Sequence, residues 1–184
     1  MLDVVTSPIP ARIRQPSLTE TEPLLPALAE IMCDCVAGGA AVNFLAPLAP
    51  EASLAWWRGV LPDMLAGRRI LLVAEDADGA PVGTVQLILA GQPNGAHRAD
   101  VGKLLVHRRA RGAGIGTALM RAVEAAAHAA GRTLLVLDTE AGSGAERLYR
   151  RLGWTAFGIV PGYALDTAGR PAAATFFHKP LGAA

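Results

Sequence analysis

Val101-Gly102-Lys103-Leu104-Leu105-Val106-His107-Arg108-Arg109-Ala110-Arg111-Gly112-Ala113-Gly114-Ile115-Gly116-Thr117 is the segment on which the reading of this chain turns. An apolar run closes at Val106, a basic loop follows, and Gly114 and Gly116 open a new pattern. In that pattern Ile115, Leu119, Ala122, Val123, Ala126 and Ala130 recur on one helical face until Gly131. The segment therefore reads strand, basic loop, helix. Backbone N–H groups at a helix N-terminus lack partners and carry partial positive charge. Glycines admit a phosphate close to that backbone, and arginines add positive charge beside it, so the turn is a candidate pyrophosphate seat. The glycines alone are equally accounted for by a sharp turn.

Spelling separates two phosphate-binding alternatives. A P-loop ends in Gly-Lys-Ser/Thr, whereas Gly116 is followed directly by Thr117, so that reading fails. A dinucleotide fold is favoured by Asp138 at the end of the next strand. Against it, His107 to Arg111 separate the strand from Gly112, and Thr117 stands at the third glycine position. It remains the runner-up.

Downstream, Thr133–Asp138 reads as a buried strand, Ala145–Arg151 as a short helix stopped by Gly153, and Trp154–Val160 and Ala173–Lys179 as strands. Upstream, Ile70–Glu75 and Val82–Ala90 flank the turn signal Asp78-Gly79 and form a hairpin. Gln92–Ala96 is a polar loop and Asp100–Val106 the third strand in line. Ser17-Leu18-Thr19-Glu20 spells a capping box, with Pro23 in a first turn and Leu24, Leu28, Ile31 and Cys35 at helical spacing up to Gly38-Gly39. A second helix spans Leu54–Leu65 with Trp56 and Trp57, and Arg12-Ile13-Arg14 is a short strand. The order predicts one α/β (α+β) layered domain over residues 11–184, after a flexible leader at 1–10.

Composition limits the function classes. In 184 residues, 52% hydrophobic content supplies a core, although 36 alanines make much of it small. Lys+Arg of 17 against Asp+Glu of 16 gives a net charge of +1, without the basic excess of a nucleic-acid binder. Only Lys103 and Lys179 are lysines. Cys33 and Cys35 lie two apart on a helix, facing different ways, which suits neither a disulfide nor a zinc site; no metal is expected. No run approaches the roughly 18 apolar residues of a membrane span, and Met1–Pro10 carries no Lys or Arg, unlike a secretory signal. A soluble cytoplasmic protein is the expectation.

Arg111-Gly112-Ala113-Gly114-Ile115-Gly116 resembles the Arg/Gln-x-x-Gly-x-Gly/Ala signature of the GNAT superfamily of N-acetyltransferases. Ala145-Glu146-Arg147-Leu148-Tyr149-Arg150-Arg151-Leu152-Gly153-Trp154 is similar to its second signature, Leu-Tyr followed by Gly-Phe/Trp. The likeness covers roughly residues 70–180. His97-Arg98-Ala99-Asp100-Val101 through Leu137-Asp138-Thr139 and Tyr149 look most like the tabtoxin-resistance type.

The resemblance implies a mostly antiparallel central sheet, helices on both faces, and a splayed strand pair holding acetyl-CoA. The pantetheine arm would follow Leu104, Leu105 and Val106, and the pyrophosphate would meet the amides of Arg111, Gly112, Ala113, Gly114, Ile115, Gly116 and Thr117. Many members carry an Asn seven residues before the tyrosine; here Gly142 stands there, with Ser143 as a substitute contact. A homodimer is common in the family.

Acetyl transfer to an amine needs a proton acceptor, a stabilised oxyanion and a protonated leaving thiolate. Backbone N–H groups near Leu105 and Val106 suit the oxyanion, and Tyr149 the thiolate; the other reading of Tyr149 is a core aromatic with a backbone partner. Asp100 and Asp138 are the candidate bases, each at the rim of an apolar strand, with His97 behind them. An Asp after a strand is equally a loop or helix cap. His107 is expected to support phosphate, and His128 to lie on the surface. Trp56, Trp57 and Phe44 are candidate walls of the acceptor pocket, at least one of the tryptophans anchoring helix to sheet. The implied acceptor is a small-molecule amine, with an antibiotic or toxin as examples; the alternative is a catalytically silent CoA-binding module of this fold acting as a sensor or partner, ahead of the dinucleotide reading.

Overall fold

The computed structural model describes residues 11–182; the leader at 1–10 lies outside them. Seven strands form one sheet: β1 Arg12–Arg14, β2 Arg69–Glu75, β3 Pro81–Leu89, β4 Arg98–Val106, β5 Leu134–Glu140, β6 Thr155–Leu165 and β7 Pro171–Pro180. Their spatial order is β1-β2-β3-β4-β5-β7-β6. Every neighbouring pair is antiparallel except β4 and β5. A doubly wound parallel sheet is therefore absent from the described residues, which removes the dinucleotide alternative.

Helix α1 (Leu18–Ala37) starts at Ser17, whose hydroxyl accepts from the Glu20 N–H while Glu20 reaches back to the Ser17 N–H. The capping box thus sets the start, and Pro23 lies in the second turn, not the first. Pro23 and Pro26 withdraw donors from the carbonyls of Thr19 and Glu22, both exposed, so solvent satisfies them. The segment expected as one helix over 54–65 is two, α2 (Pro50–Arg58) and α3 (Leu61–Leu65). Gly59 and the missing N–H of Pro62 explain the break.

Helices cover both faces. On one face α4 (Ile115–Ala129) buries Ile115, Leu119, Met120, Val123 and Ala127 against Val85, Leu87, Leu135 and Phe177, with α5 (Gly144–Arg151) beside it. On the other, Leu28, Ile31 and Met32 of α1 and Trp57 of α2 pack on Leu71, Val73 and Leu105. At about 25 cal/mol per Å² of apolar surface removed from water, fully burying each of the Val, Leu, Ile, Met and Phe side chains contributes on the order of 1.5–3 kcal/mol.

Strand β6 runs on to Leu165, beyond the expected stop at Val160. Pro161-Gly162 is absorbed in a bulge between the pairs Val160↔Ala174 and Ala164↔Ala172, which an edge strand tolerates. Trp154 lies just before this strand, buried, donating its indole N–H to Glu124.

The decisive local feature is the joint between β4 and β5. Only Arg98, Ala99 and Asp100 pair with Leu134, Leu135 and Val136; beyond them the strands diverge. The crossover through α4 sets the two strands parallel, and the open split lies toward their C-terminal ends.

Candidate active site

A cavity of about 1130 Å³ occupies the split. Its walls come from the segment after α1, from β4, from the turn before α4, from β5, from α5 and from the β6–β7 end of the sheet. Asp100, Leu104, Leu105, Val106, Arg111, Gly112, Gly114, Ile115, Gly116, Thr117, Asp138, Ser143 and Tyr149 all line it. Of the residues expected to bind the cofactor, Ala113 does not; it packs against the core under α4.

Gly112 and Gly114 have φ of 82° and 79°, and Gly114 is the N-cap of α4. That backbone is open to glycine at little cost and strained for L side chains. A Cβ at Gly114 would meet no protein atom within 4 Å, so the space beside it is free. Gly116 differs: its Cβ would lie 3.3 Å from Leu148 of α5, so it permits helix packing. Among the described residues, the N–H groups of Gly112 to Thr117 have no backbone or side-chain acceptor. The five that line the cavity, on Gly112, Gly114, Ile115, Gly116 and Thr117, make an anion cradle around left-handed glycines.

The arginines before the cradle are largely committed elsewhere. Asp34 of α1 accepts from both the N–H and the guanidinium of Arg108, at 2.8 Å each. Burial works to raise the Asp34 carboxyl, but the Arg108 backbone and side-chain donors and His107 together hold it below its ordinary range. His107, expected beside phosphate, instead lies 3.1 Å from Glu30 through Nε2 and accepts from the Arg109 N–H through Nδ1. It fastens the loop to α1. Arg111 lines the cavity and donates to the Val106 carbonyl at 3.0 Å.

Tyr149 projects from α5 with its ring against Trp154 and Phe177, centroids 6.1 and 5.9 Å away. It is 6% exposed, yet its hydroxyl has no hydrogen-bond partner among the described residues. The backbone partner required by the core-aromatic reading is absent there. Burial, aided by the nearby Asp138 charge, pushes the phenol well above its ordinary value, so it holds its proton at neutral pH.

Asp138 and Asp100 share one face of the sheet: Asp100 pairs with Val136, and Asp138 is two residues further along β5. Asp138 opens to cavity solvent but is flanked by protein, and partial desolvation raises its carboxyl despite the lowering influence of Lys103. Burial likewise raises Asp100, opposed by Arg98. His97 precedes β4 and does not line the cavity, and His128 is exposed.

Ser143 caps α5, its hydroxyl accepting from the Glu146 N–H at 3.1 Å. Gly142, where many relatives have Asn, adopts φ of 78° and donates its N–H to the Glu146 carboxylate. Trp57 is fully buried and anchors α2, whereas Trp56 meets Phe44 edge-on at 6.1 Å, and Phe44 lines the cavity. Sequence reasoning passed over Lys103 and Tyr163, both in the wall. The rarity of lysine was the available signal for the first; the second lies on the part of β6 hidden by Pro161-Gly162.

Among the described residues, no group of three or more His, Cys, Asp or Glu side chains is placed to hold a metal ion. No described helix is long and apolar enough to cross a membrane.

An acetyltransferase (GNAT) domain profile matches residues 67–156. An N-acetyltransferase from Staphylococcus aureus is similar with a TM-score of 0.76 and 20% identity, over 94% of this chain and 99% of that one. A GNAT superfamily phosphinothricin acetyltransferase from Sinorhizobium meliloti, in complex with acetyl-CoA, has a TM-score of 0.76 and 21% identity, over 94% and 89%. A ribosomal-protein-alanine N-acetyltransferase from Brucella melitensis has a TM-score of 0.74 and 26% identity, over 92% and 99%. The matched profile begins just before β2 and ends in β6, so it contains the β4–β5 split, the glycine cradle and Tyr149. That match identifies residues 67–156 as an acetyltransferase (GNAT) domain, and the sheet around them shares the fold of these N-acetyltransferases.

Proposed function

We propose that the protein transfers the acetyl group of acetyl-CoA to a primary amine of a small molecule by direct attack. The observation that carries this reading is a single cavity joining the free N–H cradle to an unpartnered Tyr149 hydroxyl and a raised Asp138 carboxyl. The cradle fits a pyrophosphate in charge and in backbone clearance, and the split between β4 and β5 fits an extended pantetheine arm. Gly112, Gly114, Ile115, Gly116 and Thr117 would hold the phosphates, and the edge of β4 from Leu104 to Val106 the arm. Bound there, acetyl-CoA supplies an activated thioester carbonyl.

The residues then divide the proton work. Asp138, or Asp100 beside it, accepts the proton that the ammonium loses as its nitrogen bonds the carbonyl carbon. Backbone donors near Leu105 and Val106 meet the developing oxyanion. As the carbon–sulfur bond breaks, Tyr149 gives its phenolic proton to the thiolate. A phenol held well above its ordinary pKa suits that role only in concert with bond breaking. Three carboxylates in the wall, Asp100, Asp138 and Glu140, favour a cationic acceptor.

The deciding experiment is free-thiol release from acetyl-CoA with a panel of amines and amine-bearing antibiotics, followed by Asp138→Asn on the best acceptor. The expected result is amine-dependent thiol release, with kcat/KM of Asp138→Asn depressed at neutral pH and recovering toward high pH. Acetyl-CoA binding without thiol release for any amine would identify a binding module instead. A wild-type pH profile in Asp138→Asn, with a lost alkaline-rising limb in Asp100→Asn, would move the base to Asp100.

A homodimer belongs to the same reading. Phe157, Ile159, Val160, Tyr163 and Leu165 are all large, apolar and exposed on the edge strand β6. Thr155–Leu165 carries no charged residue, so a second copy running antiparallel along the same edge meets no like charge.

A further inference from the structure

The pairing of β3 with β4 contains a slip. From Thr84 to Gln86 β3 advances two residues, while its partner positions, Leu105 and Gly102, are three apart. The extra residue falls at Lys103-Leu104, and Lys103 takes φ of 52°, a left-handed conformation unusual for a side chain of its length. Before the slip, Asp100 and Gly102 share the face of Gln86 and Leu71, on which α1 to α3 pack. After it Leu105 takes that face, so the bulge reverses the alternation. Lys103 is the residue at which it reverses.

The consequence is visible in the ammonium. Lys103 Nζ lies 5.0 Å from the centroid of the Trp56 ring on α2, so the side chain stands on the α1–α3 face. Asp100 and Asp138 project from the same face, and all three line the cavity. Arg69 of β2 also stands there, paired through Ile88 with Asp100, but it is tied to Gln86 at 2.6 Å and to Asp63. β7 presents the uncharged Phe176 opposite Asp138, and α5 presents the Tyr149 phenol. Lys103 has no carboxylate within 4.0 Å among the described residues; Arg111 and Arg151 line the same cavity, as does Glu140, two residues beyond Asp138 on the same face of β5.

We propose that Lys103 is a positioning residue for the acceptor-side carboxylate: its ammonium, turned onto that face by the bulge and seated on Trp56, keeps Asp138 charged and facing the cavity. The inference rests on the reading of Asp138 as the base. Desolvation lowers the Lys103 ammonium, Arg69 lowers it further, and Asp138 opposes both; reciprocally, Lys103 draws the Asp138 carboxyl down against desolvation and Asp100. Each charge therefore supports the other in a wall that disfavours both. A lysine kept at a left-handed position, where glycine or asparagine is easier, is accounted for by this charge.

The test needs no acceptor. In protein labelled with carbon-13 at the aspartate carboxyls, the Asp138 signal, assigned by its loss in Asp138→Asn, is titrated in wild type, Lys103→Met, Lys103→Gln and Lys103→Arg. The expected result is a midpoint higher by about one unit or more in Lys103→Met and Lys103→Gln, the scale of a lost opposite charge. Lys103→Arg keeps the wild-type midpoint. An unchanged midpoint in either neutral variant overturns the proposal, whatever happens to thermal stability. Should both neutral variants fail to fold, wild type decides: the Asp138 signal must show a second inflection where the Lys103 side chain loses its proton, and its absence overturns the coupling. Failure of the underlying reading looks different: Asp138→Asn keeps an unaltered pH profile, while in protein that retains Asp138 its midpoint still shifts with the charge at Lys103.

Discussion

Tyr149 combines two environments in one side chain, an aromatic ring inside the core and a hydroxyl left for the cavity. Tyr149→Phe preserves the packing and deletes the proton. Its kcat should fall by about 10- to 10⁴-fold, the span around typical general-acid contributions, with acetyl-CoA affinity nearly unchanged by calorimetry. Gly114 separates a backbone cost from a ligand cost. Because a Cβ there touches no protein atom, Gly114→Ala should lose only about 1–2 kcal/mol of stability, the penalty of a left-handed alanine. A much larger proportional loss of acetyl-CoA affinity would then report phosphate contact, and unchanged affinity would remove the cradle from the binding site. The glycines were legible in the sequence as a strand-to-helix turn beside a basic loop, and the tyrosine through the resemblance of residues 145–154 to the family's second signature. Lys103 was not, since the bulge that turns it depends on the register of β3 against β4, a non-local fact.

At the scale of elements, the 107–111 loop is fastened to α1 by the Asp34–Arg108 ion pair and the His107–Glu30 contact. Asp34→Ala should loosen the loop that carries the cradle, weakening acetyl-CoA binding several-fold and lowering the melting temperature. The Asp34 carboxyl lies below its unfolded value, so its stabilisation is intact at neutral pH and lost as acid takes the pH through the folded value, below about 3.9. Wild type and Asp34→Ala should therefore converge in stability at the acid end of a melting series. Element types were recovered from periodicity almost throughout, from the Ser17 capping box to the α4 stripe. The misses were at breaks. One helix over 54–65 became two at Gly59 and Pro62, and β6 passed through Pro161-Gly162 because an edge strand can spare a donor.

Across the described residues, five of the seven exposed large hydrophobic side chains lie on the uncharged β6 edge. Sedimentation velocity of wild type should give a dimer, and Ile159→Glu, an exposed position, should shift it to monomer while leaving the fold intact. A wild-type monomer at high concentration would refute self-association through this edge. The arrangement of layers was readable from element order, since one strand–helix–strand crossover among antiparallel hairpins leaves few topologies. The membership of the cavity was less so. Its wall includes Phe44 from the loop after α1 and Tyr163 from β6, brought together by the tertiary fold from positions far apart in sequence.

The three-pair joint between β4 and β5 has a mechanical meaning. The sheet is two stiff leaves, β1 to β4 and β5-β7-β6, sharing a short hinge, with the ladder interrupted just where a continuous sheet would be strongest. An extended ligand in the gap would stand in for the absent crossbeam, taking up hydrogen bonds that the leaves do not make to each other. Loading the enzyme would then be an act of construction as well as of binding, with the molecule most rigid while it holds the group it is about to give away.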